Sequence, residues 1–230
     1  MALTAHGRLA VVTGAGRGLG AALVDCLAAR GWSVVACVRT PSSPDDRVRR
    51  VIQDVRDPVG PALLSAVAGR PVDALVNNAG AGAPGRPLES CDPQSVLNAV
   101  DVNVVGPLRL AQALLPSLSA APSPLIVNVS SRLGSLSAQA AGAFAGRSTS
   151  YAYRISKAAQ NMLTIALAQE FAGRIRCWAV HPGALTTSMG TADATTSPPE
   201  AAMRLAALLD SPDPTSPRYI SLDGPPDLTW

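Results

Sequence analysis

Short runs of continuous apolar residues alternate with segments of helical spacing along the whole chain, and few folds accept that pattern. Residues 9–13, 33–38, 48–53, 72–76, 125–129, 175–180 and 218–222 read as strands. Residues 19–30, 58–68, 95–118, 150–172 and 198–209 read as helices, the third bent near Gly106-Pro107. A strand with one wet face alternates polar and apolar residues; these strands do not, so both of their faces are buried. Strands separated by helices then give a mainly parallel seven-stranded sheet covered by helices on both faces, a doubly wound α/β fold. No repeat or linker divides residues 1–230, so the reading is one domain.

Composition excludes several classes. With 47% hydrophobic and 15% charged residues the chain is not of the disordered type. A net charge of +3 with scattered arginines gives no nucleic-acid footprint. No apolar run approaches the roughly 18 residues of a membrane span, and the start lacks a signal-peptide pattern. The expected location is therefore cytoplasmic, with no membrane and no nucleic-acid partner. Cys26, Cys37, Cys91 and Cys177 have no metal-like spacing, and His6 and His181 are the only histidines, so no metal site is expected.

Two local features carry chemistry. Thr13-Gly14-Ala15-Gly16-Arg17-Gly18-Leu19-Gly20 joins the first strand to the first helix. Glycines permit positive φ and close backbone approach, and the helix behind them offers free N–H groups to a pyrophosphate. Any tight turn can use such residues; the position between a first strand and a first helix points to a dinucleotide. The second feature is a lone lysine, Lys157, beside 18 arginines. Arginine keeps its proton, whereas lysine is a compact charge with a tunable pKa. Either Lys157 is a chance surface residue or it stands where arginine cannot serve. Tyr153, four residues earlier, shares its helix face. A nearby ammonium lowers a phenol's pKa, and a positioned phenol can then protonate a carbonyl oxygen. An unrelated tyrosine and lysine on one helix is the plain alternative.

An arginine after the second strand suits the 2′-phosphate of NADP, where NAD readers carry an acid. Arg39 holds that place and Arg17 lies in the glycine turn, so NADPH/NADP is the expected cofactor. Asp45 and Asp46 act against it, and in an arginine-rich chain a plain surface role for Arg39 stays open.

The motifs follow one another in a telling order. After T-G-x-x-x-G-x-G come Asn77-Asn78-Ala79-Gly80, Asn103, Ser130-Ser131, Tyr153-x-x-x-Lys157 and His181-Pro182-Gly183. Together they resemble the short-chain dehydrogenase/reductase family over essentially the whole chain. Residues 130–135, 151–154 and the tail 219–230 are more narrowly similar to the C-factor and Sniffer-type carbonyl reductases.

The resemblance implies a Rossmann-type fold and NADPH-dependent reduction of a ketone or aldehyde, a small-molecule carbonyl substrate. It implies Tyr153 as proton donor and Ser131, rather than its neighbour Ser130, on the substrate oxygen. Lys157 would tune Tyr153 and hold the nicotinamide ribose, and Asn103 would hold a water of the proton relay. Cofactor contacts are implied for Gly14, Gly16, Arg17, Gly18, Leu19, Gly20, Arg39, Asp54, Val55, Asn77, Ala79, Gly80, Tyr153, Lys157, Pro182, Gly183, Leu185 and Thr187. Leu133, Phe144, Tyr151 and Trp230 are the expected substrate walls, and His181 is expected to be a satisfied structural histidine. A homodimer or homotetramer is expected. Alcohol oxidation or epimerisation on the same four residues, and a non-catalytic dinucleotide-binding signalling protein, remain as other readings.

Three departures from the family pattern stand out. The connection from Arg39 to Val48 is too short for a helix, which leaves the adenosine side open. Residues 132–150, with Phe144 and Arg147, form an unusually long lid, and 186–199 form a second. The lids' small residues and low charge suggest an apolar or neutral substrate, in keeping with secondary metabolism.

Overall fold

The computed structural model describes residues 7–40, 48–146, 150–187 and 194–230. His6, Asp45, Asp46, Arg147 and the middle of the second lid lie outside the described residues. Seven strands form one sheet: Leu9–Thr13 (β1), Ser33–Val38 (β2), Val48–Ile52 (β3), Ala74–Asn77 (β4), Leu125–Val129 (β5), Arg176–His181 (β6) and Arg218–Ser221 (β7). Their order is β3-β2-β1-β4-β5-β6-β7, and every pairing is parallel rather than mainly so. The helices are Gly18–Ala29 (α1), Pro61–Val67 (α2), Pro93–Val100 (α3), Gly106–Ser119 (α4), Leu136–Ala140 (α5), Tyr151–Glu170 (α6) and Pro198–Leu209 (α7).

Successive strand residues point to opposite faces, and both faces are covered. Val12, Ala36, Val76, Val127 and Trp178 pack with α1 and α7. Val11, Val35, Leu75, Ile126 and Cys177 pack with α2, α4 and α6. Outside the edge strand β3, whose Arg49 and Ile52 are exposed, that double burial is why the strand sequences carry no polar alternation. After β1 the chain builds β2 and β3 on one side, then returns to place β4 on the other. The carboxyl ends of β1 and β4 therefore flank the crevice where an open α/β sheet binds ligands.

The expected helix over 95–118 is a continuous helical run whose irregularity lies just ahead of Gly106-Pro107. Asp101–Val105 form one π turn between α3 and α4. Pro107 has no N–H to give to a regular ladder, and the widened turn accommodates it at the start of α4. Gly106 is needed for a separate reason: a Cβ there would lie 2.9 Å from Val55 Cβ.

Trp178 is wholly buried and its Nε1 donates to the Thr215 carbonyl at 2.7 Å. Trp178→Ala is expected to cost about 3–5 kcal/mol, read as a lower urea midpoint. Met203→Ala, on an exposed face of α7, should stay within about 0.5 kcal/mol.

Candidate active site

The crevice is held in shape by two side chains. Thr13 Oγ1, at the end of β1, accepts from the backbone N–H of Asn78 and of Ala79, both at 3.0 Å. Asn78 Nδ2 donates back to the carbonyls of Thr13 at 2.9 Å and Gly14 at 3.2 Å. The glycine turn and the Asn77–Gly80 loop are thereby locked together. Gly14 has φ +63°, and a Cβ on it would meet Ala79 Cα at 2.8 Å, so no other residue fits. Ala15 N–H donates to the Cys37 carbonyl at 3.1 Å, fixing the turn to β2 as well.

That turn suits an anion. Arg17 precedes α1 without making a side-chain cap, and the first helical turn holds no acid, which leaves the amino-terminal N–H groups to a ligand. A Cβ on Gly16 would find nothing nearer than Val38 Cγ1 at 3.9 Å. Arg39 follows Val38 and lies close enough to Asp54 to lower its pKa. The stronger cause is Arg56, whose guanidinium grips Asp54 at 2.8 and 3.2 Å and holds its carboxyl down at about 2. The Asp54 side chain is thus engaged by Arg56, a cation at this end of the crevice that the motif reading passes over. Val55 is buried against Gly106, and its carbonyl accepts from Arg109 at 3.2 Å. At the far end of the crevice Pro182 and Gly183 are buried. Leu185 packs on the core beside α1, and Thr187 sits across from Gly18, 3.5 Å from where its Cβ would be.

β5 and α6 bring the hydroxyls together. Ser131 leaves the end of β5, and its Oγ accepts from Leu133 N–H at 3.2 Å. It lies near enough to the Tyr153 hydroxyl to act on its pKa. Ser130 points elsewhere, donating to Asn161 Oδ1 at 2.6 Å. Tyr219 Oη donates to the Ser131 carbonyl, so β7 braces the same residue. Gly134 lets the turn Arg132–Gly134 rest directly on α6: a Cβ would lie 2.7 Å from the Lys157 backbone.

Lys157 is 4% exposed, with Nζ 5.8 Å from the Tyr153 ring centre. Asn103, in the π turn, is wholly buried and its amide makes three hydrogen bonds. Oδ1 accepts from Ala81 N–H, and Nδ2 donates to the Ala81 carbonyl and Ser156 Oγ, each at 2.8 Å. The Asn103 side chain thereby staples the continuation of the Asn77–Gly80 loop to α6.

The walls are only partly assembled as expected. Leu133 is half-buried beside Ser131, and its carbonyl accepts from Gln139 at 2.8 Å. Phe144 lies 6.0 Å from the Arg132 guanidinium, and its carbonyl accepts from Arg154 at 3.4 Å, pinning the first lid to α6. Trp230 stacks on Tyr219 with ring centres 5.0 Å apart, and its carbonyl accepts from Ser137 N–H. Tyr151 is 45% exposed and lines a cavity of about 430 Å³ with Arg86, Cys91, Asp92 and Ser95; Ser131 and Tyr153 do not line it. His181 is buried but not satisfied: neither ring nitrogen has a hydrogen-bond partner among the described residues. Burial pushes it down to about 4, so it is neutral, with Asp223 3.7 Å from Nε2.

The electrostatics are those of two buried groups. Tyr153 is raised above the ordinary phenol value by burial, with the neighbouring Ser131 hydroxyl acting the other way. Burial pulls Lys157 down to about 7. In the unfolded chain this amine titrates near about 10.4, so between pH 7 and that value the unfolded chain binds more protons. Stability then rises with pH over that window. The stability of the protein relative to a Lys157→Met variant should therefore increase between about pH 7 and 9 in urea titrations. A difference independent of pH would mean that Lys157 titrates at its ordinary value.

Among the described residues no helix is long and apolar enough to cross a membrane, and no group of three acidic, histidine or cysteine side chains could hold a metal. Comparison with known proteins gives concordant results. The C-signal protein of Myxococcus xanthus is 33% identical over 172 residues, covering 74% of this chain and 99% of that protein. The NADPH-bound carbonyl reductase from chicken fatty liver superposes with a TM-score of 0.86 at 26% identity, covering 98% of this chain and 100% of that one. The carbonyl reductase Sniffer of D. melanogaster superposes with a TM-score of 0.85 at 25% identity over the same shares. The family profile described as short chain dehydrogenase matches residues 8–197. With this fold and this order of motifs, the chain belongs to the short-chain dehydrogenase family of oxidoreductases.

Proposed function

We propose that this oxidoreductase reduces a ketone or aldehyde to an alcohol with NADPH. The observation that carries the reading is the convergence of Ser131 and Tyr153 at the carboxyl end of β5, beside the chain's single lysine. The likeness to an NADPH-bound carbonyl reductase supports it.

When bound, NADPH supplies a hydride to the carbonyl carbon. Tyr153 donates its proton to the carbonyl oxygen, a transfer suited to a group that burial keeps protonated at neutral pH. Ser131 donates a hydrogen bond to the same oxygen and stabilises the charge that grows there. Lys157 holds the nicotinamide ribose and assists the proton's replacement from solvent. Asn103 fixes the loop beside Lys157 through Ala81 and Ser156. The glycine turn and the first turn of α1 hold the pyrophosphate. Arg39 and Arg17 receive the 2′-phosphate, and the Asn77–Gly80 and Pro182–Thr187 segments border the nicotinamide half. Leu133, Phe144 and Trp230 bound the substrate. The protein works in the cytoplasm as a homodimer or homotetramer.

A second reading, a dinucleotide-binding signalling protein, is favoured by the likeness to the C-signal protein. One experiment separates the two. Cofactor absorbance is followed with NADPH and a panel of diketones, quinones and aromatic aldehydes. Tyr153→Phe should lower turnover by about 10²–10⁴-fold while NADPH still binds. A protein that binds NADPH and turns over no carbonyl supports the signalling reading instead. Arg39→Ala should weaken NADPH binding about tenfold, by loss of a charged hydrogen bond to phosphate, and leave NADH binding unchanged. Equal loss for both cofactors would remove Arg39 from the 2′-phosphate site.

A further inference from the structure

Beneath the crevice lies a buried polar seam that the proposed chemistry does not use. Asn77 Nδ2 donates to Asn128 Oδ1 at 2.9 Å, and Asn128 Nδ2 donates to Thr164 Oγ1 at 2.9 Å. Thr164 Oγ1 in turn donates to the Gln160 carbonyl at 3.0 Å. Gln160 is wholly buried, one helical turn after Lys157 on the same face of α6. Its Oε1 accepts from Lys157 Nζ at 2.8 Å, and the Val129 carbonyl accepts from the same Nζ at 2.7 Å. Its Nε2 has no hydrogen-bond partner among the described residues.

That orphaned amide is the informative detail. A buried unpaired donor is destabilising, and a leucine of similar size would avoid it. Packing alone therefore disfavours glutamine here, and its one strong bond is to Lys157. Two neutral oxygens satisfy two of the three ammonium donors without cancelling the charge, as a carboxylate would. The third donor is left over. Gly80 leaves the space beside Nζ open, since a Cβ there would lie 4.0 Å from it.

We propose that Gln160 is a positioning residue, holding the Lys157 ammonium between itself and the Val129 carbonyl with one donor free for the cofactor ribose. This rests on the role given to Lys157 under the proposed function. A hydrogen bond from the ammonium to Gln160 Oε1 favours the charged form, against the burial that pulls Lys157 down to about 7. The ionisable groups around Lys157 are few. Tyr153 lies on its own helix, Arg132 in the turn resting on that helix, Tyr219 on β7 and His181 at the end of β6. Asp101 of the π turn is bound by Arg109 at 2.9 Å. Burial is the cause of the Lys157 shift, and none of these charges contributes to it.

The lone lysine makes the test direct, because protein grown on lysine labelled at Cε and Nζ gives one side-chain resonance. Its titration is followed in the unaltered protein, in Gln160→Leu and in Gln160→Glu, beside NADPH binding by fluorescence. Removing the acceptor should lower the Lys157 midpoint by about one pH unit, and a carboxylate should raise it. NADPH binding of Gln160→Leu near pH 8 should weaken about tenfold, while its urea midpoint is unchanged or higher. Midpoints that coincide in all three proteins, or a Gln160→Glu that behaves as Gln160→Leu does, overturn the assignment. Failure of the unaltered protein to bind NADPH would instead overturn the reading on which it rests.

Discussion

The Thr13–Asn78 lock is the constraint on which the site depends. A parallel sheet puts the ends of β1 and β4 side by side but does not fix the loops that leave them. Thr13 Oγ1 gathers two backbone N–H groups, and Asn78 returns two bonds to the carbonyls of the turn. The glycine turn can then be sharp without being loose. Everything along the crevice is measured from that junction, including the approach of Arg39 and the place of Gly80 beside Lys157.

A second constraint is electrostatic. The carboxyl ends of β4 and β5 carry asparagines that face into the molecule, where polar groups must find partners. The seam from Asn77 to Gln160 supplies most of them, leaves Asn77 Oδ1 and Gln160 Nε2 without a hydrogen-bond partner among the described residues, and ends at an ammonium. The lysine is dry enough to lose much of its affinity for a proton, yet two carbonyl oxygens accept from it and favour the charged form. Its charge is set by the balance between those two effects.

Much of this was legible in the sequence, for identifiable reasons. Strands buried on both faces are written as β-branched runs, so their bounds differ little between sequence and structure. Ser131, Tyr153 and Lys157 stand in a spaced order that survives translation into geometry. What stayed hidden are side chains whose partners lie far along the chain. Gln160 looks like any polar helix residue until Lys157 Nζ is seen on it. Tyr219 carries no mark of its bond to Ser131, and Arg56 none of its grip on Asp54. The irregularity of the long helix, by contrast, is legible close to its place. Gly106-Pro107 marks it loudly, but the backbone absorbs the missing N–H in the turn before.

That π turn has a wider meaning. One residue added to a helical turn rotates the helix before it by about 100° relative to the helix beyond it. α3 packs against α6 while α4 lies on the sheet core, and a single unbroken amphipathic stripe could not serve both. The turn acts as a phase shifter in the chain. It turns Asn103 inward at the join and sets the angular position of α3, whose amino end helps wall the cavity beside Tyr151. Two surfaces with different tasks, one structural and one facing incoming molecules, are thus decoupled by the register of five residues.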